Sequence, residues 1–394
     1  MNNLLIVNIF AFWLSFIMIA ILFLFYPFIL CVWSLIQQFF KQQTIELPSQ
    51  NYKISFIIVV HNAESLIKEK IENILSLEYG KNNYEIIVYL DGCTDNTLAI
   101  IESLKLDNLV YINETLHLGK HHGLNQAVAK SQGEILIFSD ADAFLEKNTV
   151  LALLKPFSNP NCGGVCGQRV IAEKQGQLKS AQKIYIRIDS LLKQLESKNG
   201  SISSNDGKLY AIRHHLFQAV AEAVTDDLYQ NLCIVEQGHR FVFEPLAQAM
   251  IKIPSRNSTH ELSRRRRIVA RSLYGLFLKK HLFNPLQYGI FSISLLINKI
   301  LRRLLGLFLI LLFVSSAIAT QEYSFINVFF YLQLLCYSLA ISYPIVFSDS
   351  QKFKIIRRCS SVAWYFCVGN FATLLGVIDF LQGKRVIKWQ PQKN

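Results

Sequence analysis

Ser139-Asp140-Ala141-Asp142 closes an apolar run over residues 134–139 that reads as a buried strand. Side chains two apart on an extended segment point to the same side, so Asp140 and Asp142 are placed to converge on one hard cation, Mg²⁺ or Mn²⁺. That cation would hold a diphosphate through its oxygens. Taken alone, an Asp-x-Asp pair serves as readily as a loop cap or a solvated turn; its position at the end of a fourth strand is what favours the metal. A second polar stretch, Asp91-Gly92-Cys93-Thr94-Asp95-Asn96-Thr97, ends one strand and opens a helix. Asp91 therefore sits at a mouth where a nucleotide base can be hydrogen-bonded, while Thr94 or Asp95 caps the helix. A third pair, Asp226-Asp227, falls in the first turn of a helix, where acids also favour the macrodipole. The nine histidines show no HExxH spacing, so His121, His122, His214 and His215 read as surface or packing residues. Cys162 and Cys166 are the closest of eight scattered cysteines, and without a second ligand pair nearby they read as small buried thiols rather than a zinc site.

These residues need a frame that brings strand ends together. From Lys53 the chain alternates short β-branched runs (54–60, 85–90, 109–112, 134–139) with amphipathic stretches (63–77, 94–104, 122–130), the pattern of a parallel α/β sheet. Ligands of such open sheets collect at the carboxyl ends of the strands, which here offer His61, Asn62, Asp91, Asp140 and Asp142. Beyond Thr149 the alternation fades into helices over 184–197 and 226–237, a short strand over 240–243, and a basic helix over 261–280.

Apolar mass surrounds this unit. The chain of 394 residues is 52% hydrophobic, with a mean hydropathy of +0.28, more than a purely soluble protein carries. Residues 4–36 contain no charged side chain, and ~20 apolar residues suffice to cross a hydrocarbon core of ~30 Å. Three further candidates cover 304–320, 325–347 and 362–381, the last weakened by Asn370 and Asp379. Lys352, Lys354, Arg357 and Arg358 fill one short loop, whereas 321–324 has no Lys or Arg, so the basic loop faces the cytoplasm and so does everything from Lys41 to Arg303. Three C-terminal crossings would then export a tail bearing Lys384, Arg385 and Lys388; either the last segment does not fully cross, or 286–300 crosses as well. The net charge of +12 comes without a nucleic-acid recognition module, and anionic lipid headgroups account for it better. The resulting division is an N-terminal transmembrane helix (1–40), a cytoplasmic catalytic domain (41–284) and C-terminal interfacial and transmembrane helices (285–394).

In order along the chain, Ile57-Ile58-Val59-Val60-His61-Asn62-Ala63-Glu64, Glu85 to Asp95, Gly119-Lys120 with Gly123-Leu124-Asn125, and Asp140-Ala141-Asp142 resemble the motifs of glycosyltransferase family 2, in particular its membrane-bound branch of polysaccharide synthases. The resemblance covers roughly Lys53 to Arg271. It implies a GT-A fold, a Rossmann-like nucleotide-diphospho-sugar transferase domain. It also implies Asp91 on the nucleotide base, His61 in the place of an aromatic stacked on that base, Lys120 near the nucleotide, and Asp140 and Asp142 on a metal-bound diphosphate. His61 and Ala63 depart from the family's usual Tyr and Glu. Ser204 to Arg213 resembles the segment that meets the acceptor, and Thr225-Asp226-Asp227 resembles a Thr-Glu-Asp whose last carboxylate is the general base, a role this carries to Asp227. Arg264 to Ile268 stands where processive members have Gln-x-x-Arg-Trp. Arg267 matches and would neutralise departing phosphate, while Arg264 and Ile268 do not match.

The expectation is thus an inverting, Mg²⁺- or Mn²⁺-dependent transferase at the cell membrane, moving a sugar from a nucleotide-sugar donor, a UDP-sugar by expectation, to a glycan or lipid-linked acceptor. The C-terminal helices favour an exported polysaccharide, and the altered arginine motif favours a single transfer to lipid. A nucleotide-sensing membrane protein and a non-catalytic scaffold that keeps the fold are the alternatives.

Overall fold

The computed structural model describes residues 2–40, 51–171, 179–251, 258–319, 324–347 and 353–385. Residues 320–323 and 348–352 and the tail with Lys388, on which part of the loop-charge reading rests, lie outside them, as does Lys41.

The N-terminal helix runs as α1 (Asn2–Ala20), a π-turn (Ile21–Phe25) and α2 (Tyr26–Phe40). The soluble unit follows as β1 (Ile54–Val60), α3 (Ile67–Leu75), β2 (Tyr84–Asp91), α4 (Thr97–Ser103), β3 (Leu109–Glu114), α5 (Lys120–Lys130), β4 (Ile135–Ser139), β5 (Ala143–Leu145) and α6 (Thr149–Leu154). It continues through β6 (Cys162–Ile171), α7 (Lys179–Asn199), β7 (Leu209–Arg213), α8 (Asp226–Glu236), β8 (Arg240–Ile251) and α9 (Ser258–Leu278). The chain ends in α10 (Pro285–Tyr288), α11 (Ile290–Leu295), α12 (Leu305–Ala319), α13 (Ser324–Ser342) and α14 (Lys354–Leu381).

The eight strands form one mixed sheet in the order β3-β2-β1-β4-β7-β6-β8-β5. β1 to β4 are parallel to one another where they pair; β7 runs antiparallel to both β4 and β6. Strand β1 is buried on both faces, as a central parallel strand must be. Its Phe56, Ile58 and Val60 pack with Ile67, Ile71 and Ile74 of α3 on one side, while Ile57 joins Leu124, Ala127 and Val128 of α5 on the other. Helix α5 lies close on the sheet: a Cβ at Gly123 would stand 2.6 Å from a ring carbon of Tyr89 and 2.8 Å from Val59 Cγ1, so only glycine fits there.

The pairing register brings the functional ends to one edge. Val60 of β1 aligns with Leu90 of β2, and Ser139 at the end of β4 aligns with Leu209 at the start of antiparallel β7. The residues just after β1, β2 and β4 therefore meet the residues just before β7. β4 and β5 are joined by a tight turn, yet β5 pairs with β8 at the far end of the strand order. The turn is where the chain leaves the parallel half for the antiparallel one. The antiparallel half was not foreseen: β8 is 12 residues long where a strand over 240–243 was expected, and β6, β7 and β5 were unrecognised.

Four helices are long and apolar enough to cross a membrane: Leu5–Ile36, Ile290–Ala319, Phe325–Phe347 and Lys354–Leu381. The expected alternatives over 286–300 and 304–320 merge, because Ile290–Ala319 continues through a π-turn and a 3₁₀ turn. Helix α14 lies along basic α9. Arg266 is ion-paired with Asp379, a Cβ at Gly376 would stand 2.6 Å from the Arg266 carbonyl oxygen, and the Arg385 guanidinium covers the Tyr274 ring at 4.7 Å. All eight cysteines are free thiols; burial pushes Cys162 and Cys166 up to about 12.

Candidate active site

At the ends of β1 and β2 the chain builds a ring-lined ledge. Asn62 takes a positive φ of 54°, which asparagine tolerates, and its side-chain oxygen accepts from the Thr94 amide at 2.7 Å. The His61 ring lies 4.1 Å from the His117 ring, nearly parallel, and its Nδ1 is 2.6 Å from the Asp91 carbonyl oxygen. Asp91 reaches the expected edge but is only 2% exposed. Its carboxylate accepts from the Leu118 amide (2.7 Å), the Gly119 amide (3.0 Å) and His117 (2.9 Å). Asp91 thus holds the 117–119 turn that delivers Lys120, and its oxygens are spent on protein donors. Gly119 makes that turn at φ 97°, a conformation that favours glycine.

Next to this ledge, acids and lysines interlock. Lys208 Nζ lies 3.0 Å from Asp140 Oδ2 and 2.6 Å from Asp142 Oδ1, so both carboxylates converge on one ammonium. Lys120 Nζ joins Asp140 (3.0 Å) to Asp226 (3.1 Å). Burial would raise the Asp140 carboxyl, but the two ammonium groups outweigh it and hold it below the usual carboxylate range. The convergence was expected, though its physical basis differs. Asp140 to Asp142 form a turn closed by the Ala143 amide on the Asp140 carbonyl (3.1 Å), not an extended segment. A fully buried lysine braces that turn from beneath: Lys70 Nζ donates to Ser139 Oγ at 2.7 Å and to the Ala143 carbonyl at 2.5 Å, and burial pulls its ammonium down to about 7.

Asp227 stands across the cleft at the start of α8. Asn205 Nδ2 donates to its carbonyl oxygen at 3.0 Å, its Oδ1 accepts from the Leu228 amide, and Gly207 faces it with no side chain between. Burial, with the like charge of Asp226, pushes the Asp227 carboxyl up to about 6. Arg271 lies within electrostatic reach of both acids and donates to the Val224 carbonyl at 2.5 Å. One turn earlier on α9, burial lowers Arg267 to about 10. Arg264 is paired with Glu261, and Ile268 is exposed.

The fold therefore gathers Lys120, Asp140, Asp142 and Asp227, sets His61 and Asp91 along the neighbouring ledge, and carries Arg267 on α9. Sequence reasoning passed over His117, Lys208, Asp226 and Arg271 as site residues. A signal existed for Lys208, which ends the Asn205-Asp206-Gly207-Lys208 run, but nothing local links it to the aspartates 66 residues earlier.

Among the described residues no group of three or more His, Cys, Asp or Glu could enclose a metal. Two carboxylates meeting on one cation nevertheless fit Mg²⁺ or Mn²⁺. Such ions are held by one or two acids, with phosphate oxygens and water completing the shell, and the Lys208 ammonium stands where that positive charge would sit.

The model of the Glycosyl transferase family 2 matches residues 55–220. That stretch, with its GT-A-like α/β sheet, is a glycosyltransferase family 2 domain carrying His61, Asp91, Lys120, Asp140, Asp142 and Lys208; Asp226, Asp227 and α9 lie beyond the match. The chain is 24% identical over 249 residues to the poly-β-1,6-N-acetyl-D-glucosamine synthase of Staphylococcus aureus, covering 59% of this chain and 60% of that one. The synthase of the same name from Staphylococcus epidermidis is 26% identical over 208 residues, 51% of this chain and 50% of that one. The chain thus spans about 60% or less of the length of these relatives. The mannosyltransferase PcManGT of Pyrobaculum calidifontis, solved in complex with GDP-Man and Mn²⁺, shares the fold with a TM-score of 0.70 at 20% identity, over 95% of this chain and all of that one.

Proposed function

We propose that the chain is a membrane-embedded, metal-dependent, inverting glycosyltransferase that takes a sugar from a nucleotide-sugar donor, a UDP-sugar in the first instance, and passes it to a hydroxyl of a glycan or lipid-linked acceptor. The observation that carries this reading is the convergence of Asp140 and Asp142 on one cation beside a buried carboxyl, Asp227, whose affinity for protons is raised.

His61 and His117 present ring faces on which a nucleotide base can stack, and Asp91 fixes the turn beneath them. Asp140 and Asp142 would hold Mg²⁺ or Mn²⁺, which supplies positive charge to the diphosphate oxygens. Lys120 and Lys208, which neutralise those carboxylates at rest, then have ammonium groups for the same oxygens. Asp227 takes the proton of the acceptor hydroxyl as that oxygen bonds to the anomeric carbon. The bond from that carbon to the diphosphate oxygen breaks, and the nucleoside diphosphate leaves with the electron pair. One displacement from the opposite face inverts the centre. Arg267 and Arg271 supply further positive charge to the departing group.

A donor panel tests this on purified full-length protein. One nucleotide sugar should release its nucleotide with Mn²⁺ or Mg²⁺, stop on chelation and resume when metal is restored; no release from any UDP- or GDP-sugar would overturn the reading.

The membrane arrangement follows from α14. A helix lying along charged α9 from Tyr365 to Arg385 cannot also run through hydrocarbon, because the Arg266–Asp379 pair and the α9 arginines would be carried into it. We therefore place α14 at the inner surface, leaving three crossings and keeping Lys384 and Arg385 on the cytoplasmic side with the catalytic domain. A fluorescent protein fused to the C-terminus should fluoresce in cells while alkaline phosphatase at the same place stays inactive; the reverse pattern would mean that α14 crosses.

A further inference from the structure

Where the catalytic domain meets the helix Ile290–Ala319, several positive charges lack a negative counterpart. Arg264 and Arg265 are paired with Glu261, and Arg266 with Asp379. Lys299, Arg302 and Arg303 have no carboxylate partner among the described residues. Lys299 donates to Ser204 Oγ at 2.9 Å. Arg302 rests on the Tyr185 ring at 5.6 Å, a ring that Arg265 also covers at 5.1 Å. Arg303 is only 8% exposed; one of its terminal nitrogens donates to Ser272 Oγ, and the other, Nη1, is buried with no partner. Three cations gathered at one seam, one with an orphaned buried N–H, are costly unless an anion completes them. Phosphate matches the forked guanidinium better than any neutral group.

The location says which phosphate. Residues 299–303 immediately precede α12, whose 15 residues are all uncharged, so these cations sit where the apolar span begins. Helix α7, which brings Tyr185, exposes Ile184, Ile188 and Leu191 in one outward stripe and packs against α2. A stripe of that spacing beside a span lies at the depth of lipid headgroups. Inward, Ser204 adjoins Asn205, which holds the Asp227 carbonyl, and Lys299 is within electrostatic reach of Asp227.

We propose that Lys299, Arg302 and Arg303 seat the phosphate of a lipid-borne acceptor, so that the hydroxyl to be glycosylated arrives at Asp227 from the membrane side. This rests on the transferase reading above and narrows its acceptor to a phosphorylated lipid.

The test uses the full-length protein in detergent, with binding read by native mass spectrometry. Its probes are a polyprenyl monophosphate, the matching uncharged polyprenol, phosphatidylglycerol and inorganic phosphate. The polyprenyl phosphate should bind at least ~10-fold more tightly than the polyprenol or phosphatidylglycerol, and the double variant Lys299→Gln/Arg302→Gln should shrink that preference to ~2-fold or less. Both positions are only partly buried, so the fold should survive; Arg303→Lys, which keeps the charge without the fork, should weaken binding by an intermediate factor. Equal binding of phosphate and alcohol overturns the proposal, as does an undiminished preference in the double variant. Equal binding of phosphatidylglycerol would mark a bulk-lipid contact, and displacement by equimolar inorganic phosphate a free-phosphate site; either result also overturns it. Nucleotide release from donor alone is measured in the same samples. Donor turnover without phosphate preference defeats this proposal only, whereas absence of donor turnover defeats the transferase reading whatever the lipid does.

Discussion

Asp227→Asn should lower sugar transfer by ~10²–10⁴-fold while leaving the donor KM within about a factor of two. Asparagine has the same shape, and its side-chain oxygen can still accept from the Leu228 amide, so what is lost is the capacity to take a proton. The wild-type rate should carry the same signature in its pH dependence. A base must be deprotonated to act, and burial beside Asp226 pushes the Asp227 carboxyl up to about 6. Transfer should therefore fall with slope one as pH drops below about 6, and this limb should be absent from the residual activity of the variant. Asp226→Asn is the control with a sign. Removing the neighbouring negative charge lowers the proton affinity of Asp227, so the limb should move to lower pH. Single-turnover rates between pH 5 and pH 8 would decide; unchanged transfer in Asp227→Asn would assign the base elsewhere.

Asp142→Ala should remove metal-dependent donor turnover by ~10³-fold or more, with the protein still folded. Asp142 sits on a turn and is only partly buried. Its loss leaves Lys208 paired with Asp140 and leaves the Lys70 brace beneath the turn untouched, so the scaffold is spared. A binding readout separates the metal role from a general defect: Mn²⁺ titrated by electron paramagnetic resonance, with nucleoside diphosphate present, should bind wild type and fail to bind Asp142→Ala. Equal Mn²⁺ affinity in the two proteins would sink the metal assignment even if activity were lost.

Much of this site could be read in the chain because its signals are local. The apolar runs of β1, β2 and β4 declare themselves by composition, and the polar residues that follow them are placed at the sheet's edge by the parallel topology alone. The same holds for the spans, since a bilayer demands only length and apolarity. The antiparallel half was illegible for a related reason. β6 is rich in glycine, and Gly163, Gly164 and Gly167 fit against side chains of Ile234, Phe241 and Leu209, far away in sequence, so no period within the segment marks it as a strand.

By itself the sequence settled which groups carry charge and which segments begin and end beside them: the α/β order, the acids at the strand and helix ends, the basic stretch of α9, the apolar helices. Only the tertiary structure decided what those charges face. It turned the Asp91 carboxylate inward onto backbone amides, brought Lys208 across to Asp140 and Asp142, set His117 against His61, and laid α14 on α9 through an ion pair spanning 113 positions. The reason is physical. Hydrophobic periodicity is written over a few residues, whereas the partner of a buried charge is chosen by whichever opposite group the packed elements bring near, at any distance along the chain.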